Sequence, residues 1–231
     1  MLDTTDKLVA WYKERFKEYG DTAEGMGWSN APDHYIRIMT AQRLLHALHV
    51  PMNSVLDVGC GIGLLPQLWG ISYGNYERTI YHGIDPVPEY IKAARDNTHK
   101  GRLANPNVMF HETTFQDFAS LDTYALTVAL GTIAWQPTHV AQAILHRMWE
   151  LTSYSGAMLF TYINGQPLDR GQVRMLSRVL PNAQQRLEWH GYTKTGEIMM
   201  IVTKAPVQEV INRHQEELED EVARGEHRDD E

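Results

Sequence analysis

The sequence predicts an α/β domain with a seven-stranded sheet, mostly parallel and ending in an antiparallel hairpin. Three observations predict it. From residue 54 onward, short apolar runs alternate with stretches of helical period, as βαβ units require. The first run ends in a turn with glycine at alternate positions. The last two runs, 186–190 and 198–203, face each other across the turn-rich segment YTKTGE.

In chain order, residues 5–19 predict an amphipathic helix, with Leu8, Tyr12, Phe16 and Tyr19 at the 3.6-residue period and Lys and Glu between them. Thr4, Thr5 or Asp6 supplies its cap. The stretch YGDTAEGMGWSNAPDH predicts a loop, and 33–49 a second helix with Ile38, Ala41, Leu45 and Leu48 on one face. Strands follow at 54–58, 79–84, 108–111, 125–130 and 157–163. Helices are predicted at 87–97, 138–152 and 169–180. The organisation that results is a helical cap or lid over 1–50, a core over 51–205 and an acidic tail over 206–231.

Charge and composition narrow the function. The net charge is −8. Ten acids against three bases in 206–231 account for most of it, so the body is nearly neutral. A neutral body presents no basic face for nucleic acid. The acidic tail is a candidate surface for a protein partner. Cys60 is the single cysteine, which excludes an internal disulfide. The first twenty residues lack the apolar run of a secretory signal, and no segment has the apolar length of a membrane span, so the expectation is a soluble, cytoplasmic protein without membrane contact.

The residues that carry chemistry begin with Val55-Leu56-Asp57-Val58-Gly59-Cys60-Gly61-Ile62-Gly63. An apolar strand runs through an acid into three glycines, and the following helix offers its first amides to a ligand. Asp85 ends the next strand in Tyr81-His82-Gly83-Ile84-Asp85-Pro86. Its carboxylate suits a ribose diol or the cap of the next helix. After the third strand comes Phe110-His111-Glu112-Thr113-Thr114-Phe115-Gln116-Asp117-Phe118, and after the fourth Leu130-Gly131-Thr132-Ile133-Ala134-Trp135-Gln136-Pro137.

The acid followed by Gly-x-Gly-x-Gly resembles closely the class I S-adenosylmethionine-dependent methyltransferases, whose Rossmann-like fold also has five alternating strands and a final hairpin. The resemblance implies S-adenosylmethionine as cofactor, and the glycine spacing argues against NAD. It implies cofactor contacts at Asp57, Gly59, Gly61, Gly63, Asp85, Pro86 and Leu130. It places the adenine at Thr114 and Phe115, where the family usually has an acid at the Thr114 position; Asp117 is the nearby alternative. Amino-methylating DNA enzymes carry an Asn/Asp-Pro-Pro-aromatic motif after the fourth strand, and this chain lacks it.

The N-terminal segment Gly27-Trp28-Ser29 with His34 and Arg37 resembles a group of small bacterial and phage methyltransferases, in which Gln usually stands where His34 does. The likeness covers roughly residues 19–131. Arg37 is the candidate partner of the cofactor carboxylate, or else an exposed helix arginine. Tyr19, Trp28 and Trp135 are candidate acceptor contacts, with core packing the plain alternative for Trp135.

Methyl transfer needs a general base only for an acceptor that arrives protonated. His111, His139 and Tyr162 are the candidates, each with a structural role as the alternative. His46 and His49 lack the carboxylate or cysteine that would complete a metal site. The expected activity is methyl transfer to a small molecule. The rivals are a nucleic-acid or protein acceptor, and a non-catalytic cofactor-binding subunit.

Overall fold

The computed structural model describes residues 5–28, 30–71, 78–99, 105–163, 180, 183, 185–190 and 197–205. The predicted helix at 169–180, the turn before residue 197 and the acidic tail lie outside the described residues, apart from position 180.

Two helices precede the sheet, α1 (Thr5–Tyr19) and α2 (Ala31–Ala47). The second begins two residues earlier than the periodicity predicts. Asn30 is extended at φ −165 and caps the helix, its side chain accepting from the Asp33 amide at 2.8 Å. Pro32 lies in the first turn, where a missing N–H costs nothing. The helix ends before Leu48, and the chain turns through His49 at φ 51.

The core then runs β1 (Ser54–Val58), α3 (Leu64–Leu68), β2 (Ile80–Asp85), α4 (Pro88–His99), β3 (Val108–Glu112), β4 (Tyr124–Ala129), α5 (Thr138–Leu151), β5 (Thr152–Ile163), β6 (Gln185–His190) and β7 (Glu197–Thr203). The seven strands lie in the order β3-β2-β1-β4-β5-β7-β6. The first five are parallel, and β7 joins antiparallel between β5 and β6.

β5 starts five residues before its predicted start. α5 stops at Leu151, and Thr152, already extended, enters the sheet directly. The pairing with β4 then shifts between Tyr124–Thr152 and Leu126–Ala157. Gly156 lies in this irregular stretch, and a Cβ there would meet the Ala125 carbonyl oxygen at 2.5 Å.

Successive strand residues point to opposite faces. On one face Leu56, Val58, Met158 and Phe160 meet Ile144, Leu145 and Met148 of α5. On the other, Val55, Leu126, Val128 and Leu159 meet Ile38, Ala41 and Leu45 of α2 and Ile91 and Ala94 of α4. The Trp69 indole closes this layer, donating to the Ile38 carbonyl at 3.0 Å.

A third, smaller cluster joins α1 to the core. Met26 and the partly buried Val9, Tyr12, Phe16 and Trp28 pack on Ile62, Val87 and Tyr90. The N-terminal segment therefore covers the carboxyl ends of β1 and β2. No helix among the described residues is long and apolar enough to cross a membrane.

Candidate active site

The strand order reverses at β1, whose neighbours are β2 and β4. In an open parallel sheet such a reversal leaves a crevice at the carboxyl ends of the strands. Here the crevice is bounded by the turns after β1, β2 and β4 and roofed by α1 and the loop that follows it.

The turn after β1 depends on glycine. Gly59 adopts φ +77, and a Cβ there would lie 2.0 Å from the Thr132 hydroxyl oxygen. Thr132 is itself anchored, donating to the Val58 carbonyl at 2.9 Å. Gly61 turns its amide to Asp85 Oδ2 at 3.1 Å, while Asp85 Oδ1 accepts from the Val87 amide at 2.9 Å. Asp85 thus ties the two turns together and caps the start of α4. Each carboxylate oxygen keeps a further lone pair. Burial raises the Asp85 carboxyl to about 6 against the pull of these two amides.

Asp57 occupies a different setting. It is 3 % exposed and accepts the Tyr81 hydroxyl proton at 2.6 Å. Burial pushes it to about 7, opposed by that hydrogen bond. Its carboxylate braces β1 against β2 and is not part of the cleft lining. Burial likewise raises the Cys60 thiol well above its ordinary range, with Asp85 and Asp57 adding to the effect.

The roof is held by aromatic contacts. Tyr12 and Phe16 meet the Tyr90 ring edge-on, at 6.1 and 5.4 Å between centroids. The Tyr90 hydroxyl donates to the Gly25 carbonyl at 2.7 Å, pinning the loop. Trp28 lies over Gly131, at φ +83, where a Cβ would come within 2.3 Å of the indole. Behind it the Arg37 guanidinium stacks on the indole face at 3.7 Å, and His34 sits at 5.0 Å. Burial, with the Arg37 charge, depresses His34 to about 3, so its ring is neutral and its buried Nδ1 lacks a hydrogen-bond partner.

A second recess continues from the cleft through the shared residues Gly59, Pro86, Thr132 and Gln136. Ile84, Val140, Ile144 and Phe115 make it largely apolar, and Thr113, Thr114 and Gln116 complete its wall.

Residues 55–156 match the family described as "Methyltransferase domain". This stretch resembles a methyltransferase domain. Solved structures of such enzymes share its fold. Magnesium protoporphyrin IX methyltransferase (ChlM) from Synechocystis PCC 6803, with bound SAM, superposes at a TM-score of 0.69 with 15% identity, over 89% of this chain and 99% of that one. N-methyltransferase NodS from Bradyrhizobium japonicum WM9, with S-adenosyl-l-homocysteine, gives 0.60 at 14% identity, over 83% and 97%. The plantazolicin methyltransferase BpumL in complex with SAH gives 0.58 at 11% identity, over 87% and 97%. No curated protein matches the sequence.

The chain gathers Gly59, Gly61, Asp85, Pro86 and Trp28 into one cleft. Gly63 packs under it against Phe110 and Ala94. Leu130 is half-buried just before Gly131 and packs on the α2 side of the sheet. Thr114 and Phe115 fall in the adjoining recess, but the Thr114 hydroxyl is engaged with exposed Asp117, donating to Oδ2 at 2.6 Å.

Other candidates lie apart. Arg37 is 2 % exposed beneath Trp28, neither an exposed helix arginine nor a lining residue of the cleft. Tyr162 is fully buried in the core on the α5 face. His111 faces a separate open cleft with His82 and Arg95. His139 is exposed on the first turn of α5. Trp135 is 41 % exposed in a short 3-10 turn, so it is not a core residue, and Tyr19 carries the Arg15 guanidinium on its face. The sequence reading missed Tyr90, Thr132 and Gln136 as site residues. Tyr90 gave no signal beyond helical periodicity, because its role depends on where Gly25 lies.

Proposed function

We propose that this methyltransferase transfers the methyl group of S-adenosylmethionine to a small-molecule acceptor. The observation that carries the proposal is the roofed cleft. Trp28 and Met26 lie directly over the glycine turns, and the roof rests on Tyr90 through an aromatic cluster and a hydrogen bond. A space closed in this way suits a compact acceptor better than a macromolecular surface.

The residues present fit the cofactor. Asp85 retains lone pairs for both ribose hydroxyls, Gly59 and Gly61 bring bare backbone to the cleft wall, and the apolar recess beyond Pro86 suits a flat base. When bound, the cofactor supplies a methyl group already activated on a sulfonium. The chain's own residues then align the reactants and exclude water, which can supply much of the rate enhancement for such a donor. Arg37 is the cation for the cofactor carboxylate, a role that needs Trp28 to swing off its face. The segment of residues 5–37 therefore acts as a lid.

His34 lines the cleft beside Trp28 and is the histidine within reach of an acceptor bound there. Held neutral, it accepts a hydrogen bond from an N–H or O–H of the acceptor rather than storing its proton. The test is S-adenosylhomocysteine release with a panel of small amines, phenols and carboxylic acids. Turnover with at least one class is expected. Release only with protein or nucleic acid would overturn the small-molecule reading, and no release with any acceptor would favour a binding subunit.

A further inference from the structure

We propose that Gln136 recognises the exocyclic amino group of the cofactor's adenine, in place of the acid that this chain lacks at position 114. The inference rests on the reading that S-adenosylmethionine is the cofactor.

Three observations carry it. The first is the state of Thr114. Its hydroxyl proton goes to Asp117 Oδ2 at 2.6 Å, and its oxygen accepts the Asp117 amide at 3.3 Å. Both groups lie at the exposed rim. A neutral hydroxyl committed in this way is a poor acceptor for an adenine amino group.

The second is Gln136. It is only 8 % exposed, and its Oε1 is buried without a hydrogen-bond partner. Buried carboxamide oxygens are nearly always satisfied, so this one calls for a donor from outside the chain. Its placement is firm. The Gln136 backbone N–H donates to the Ile133 carbonyl at 3.3 Å, closing the 3-10 turn, and Pro137 then leads into α5.

The third is position. Gln136 borders both the cleft that holds Asp85 and the apolar recess that holds Phe115, Val140 and Ile144. With the ribose on Asp85, the base enters this recess. The six-membered ring of adenine then has one hydrogen-bond donor on its edge, the 6-amino group. A buried carbonyl oxygen at the junction is the complement of that donor. The same oxygen rejects a base that offers only a carbonyl there.

The test is calorimetric binding of S-adenosylhomocysteine and of its 6-deamino analogue, which keeps ribose, homocysteine and ring but lacks the amino group. The wild-type protein is expected to prefer S-adenosylhomocysteine about tenfold, the ratio one such hydrogen bond supplies. Gln136→Leu should bind the two ligands equally, with an apo melting temperature unchanged or raised, because it removes an unsatisfied buried amide. Gln136→Glu, an acceptor only, should keep the preference, and Thr114→Val should leave it as in the wild type. A tenfold preference surviving in Gln136→Leu, or lost in Thr114→Val, would overturn the assignment. If the wild-type protein binds neither ligand, the cofactor reading fails and this inference with it.

Discussion

In the proposed site, Asp85 is the residue whose ionisation matters most for the cofactor. Its folded carboxyl is raised to about 6, above the ordinary 3.8. In the proposed site the ribose hydroxyls would donate to the ionised form, so binding below pH 6 would first have to remove a proton. S-adenosylhomocysteine affinity is therefore expected to be flat above pH 7 and to fall by up to about tenfold per pH unit below 6. Calorimetry across pH 5–8 checks this, and Asp85→Asn should bind weakly with no such slope. Asp85→Ala should cost about 1.5–3 kcal/mol of cofactor affinity, the range for a hydrogen bond to a charged group. An unchanged affinity in a folded variant would remove Asp85 from the site.

His34 shifts the other way. Its folded pKa is depressed to about 3 from 6.5, by burial first and Arg37 second. Its neutral form therefore adds stability that is present above 6.5 and is lost as pH falls from there toward 3. Asp57 and Asp85, raised from 3.8 to about 7 and about 6, act in the opposite sense over the upper part of that range. The effect of His34 is thus best read by difference. On acidification from pH 7 to 5, the melting temperature of the wild-type protein should drop more than that of His34→Gln. Equal drops would mean that the ring is protonated in the folded state.

At the scale of elements, α1 and its loop are docked rather than built in. Their attachment includes the Tyr12, Phe16 and Met26 cluster on Tyr90 and two hydrogen bonds from α4, Tyr90 to Gly25 and Asn97 to Asp21. Tyr90→Phe should cost about 1 kcal/mol locally and speed hydrogen exchange in residues 20–28 while leaving β1 and β4 protected. Cofactor should slow exchange in residues 12–37 if that segment is a lid. Arg37→Ala should weaken S-adenosylmethionine more than its decarboxylated analogue if the guanidinium meets the carboxylate. Identical protection with and without ligand would make the segment a fixed cap, and equal losses for both ligands would return Arg37 to a purely structural role under Trp28.

For the whole molecule, the reversal of strand order at β1 places the turns after β1, β2 and β4 around one crevice. A ligand there bridges several loops and binds only the folded chain. At a hundred times its dissociation constant, S-adenosylhomocysteine should add about 2.7 kcal/mol to the stability. That is a rise of several degrees in melting temperature for a chain of this size, whereas NAD should give none. A shift with NAD and none with S-adenosylhomocysteine would contradict the cofactor assignment.

Local chemistry alone determined much of this protein. The amphipathic period of residues 5–19 gives α1 (Thr5–Tyr19), and the apolar run before Gly59 gives β1 (Ser54–Val58), each at its predicted bounds. The alternate glycines and Asp85 were legible because backbone turning and carboxylate chemistry belong to the residue itself. The start of β5 was not legible, because Thr152 is recruited by pairing with Tyr124 of β4 rather than by its own pattern. Nor were the partners of the polar groups. Periodicity says which side of an element is apolar, not what lies against it. Arg37 stacks on Trp28, Asp57 turns to Tyr81 and Tyr90 reaches Gly25, 65 residues earlier in the chain. Tyr162 sinks into the core although its strand ends near the crevice, and Gln136 turns a buried oxygen to the junction of cleft and recess. The sheet order brought these groups together, and only tertiary packing could decide which of them the crevice received.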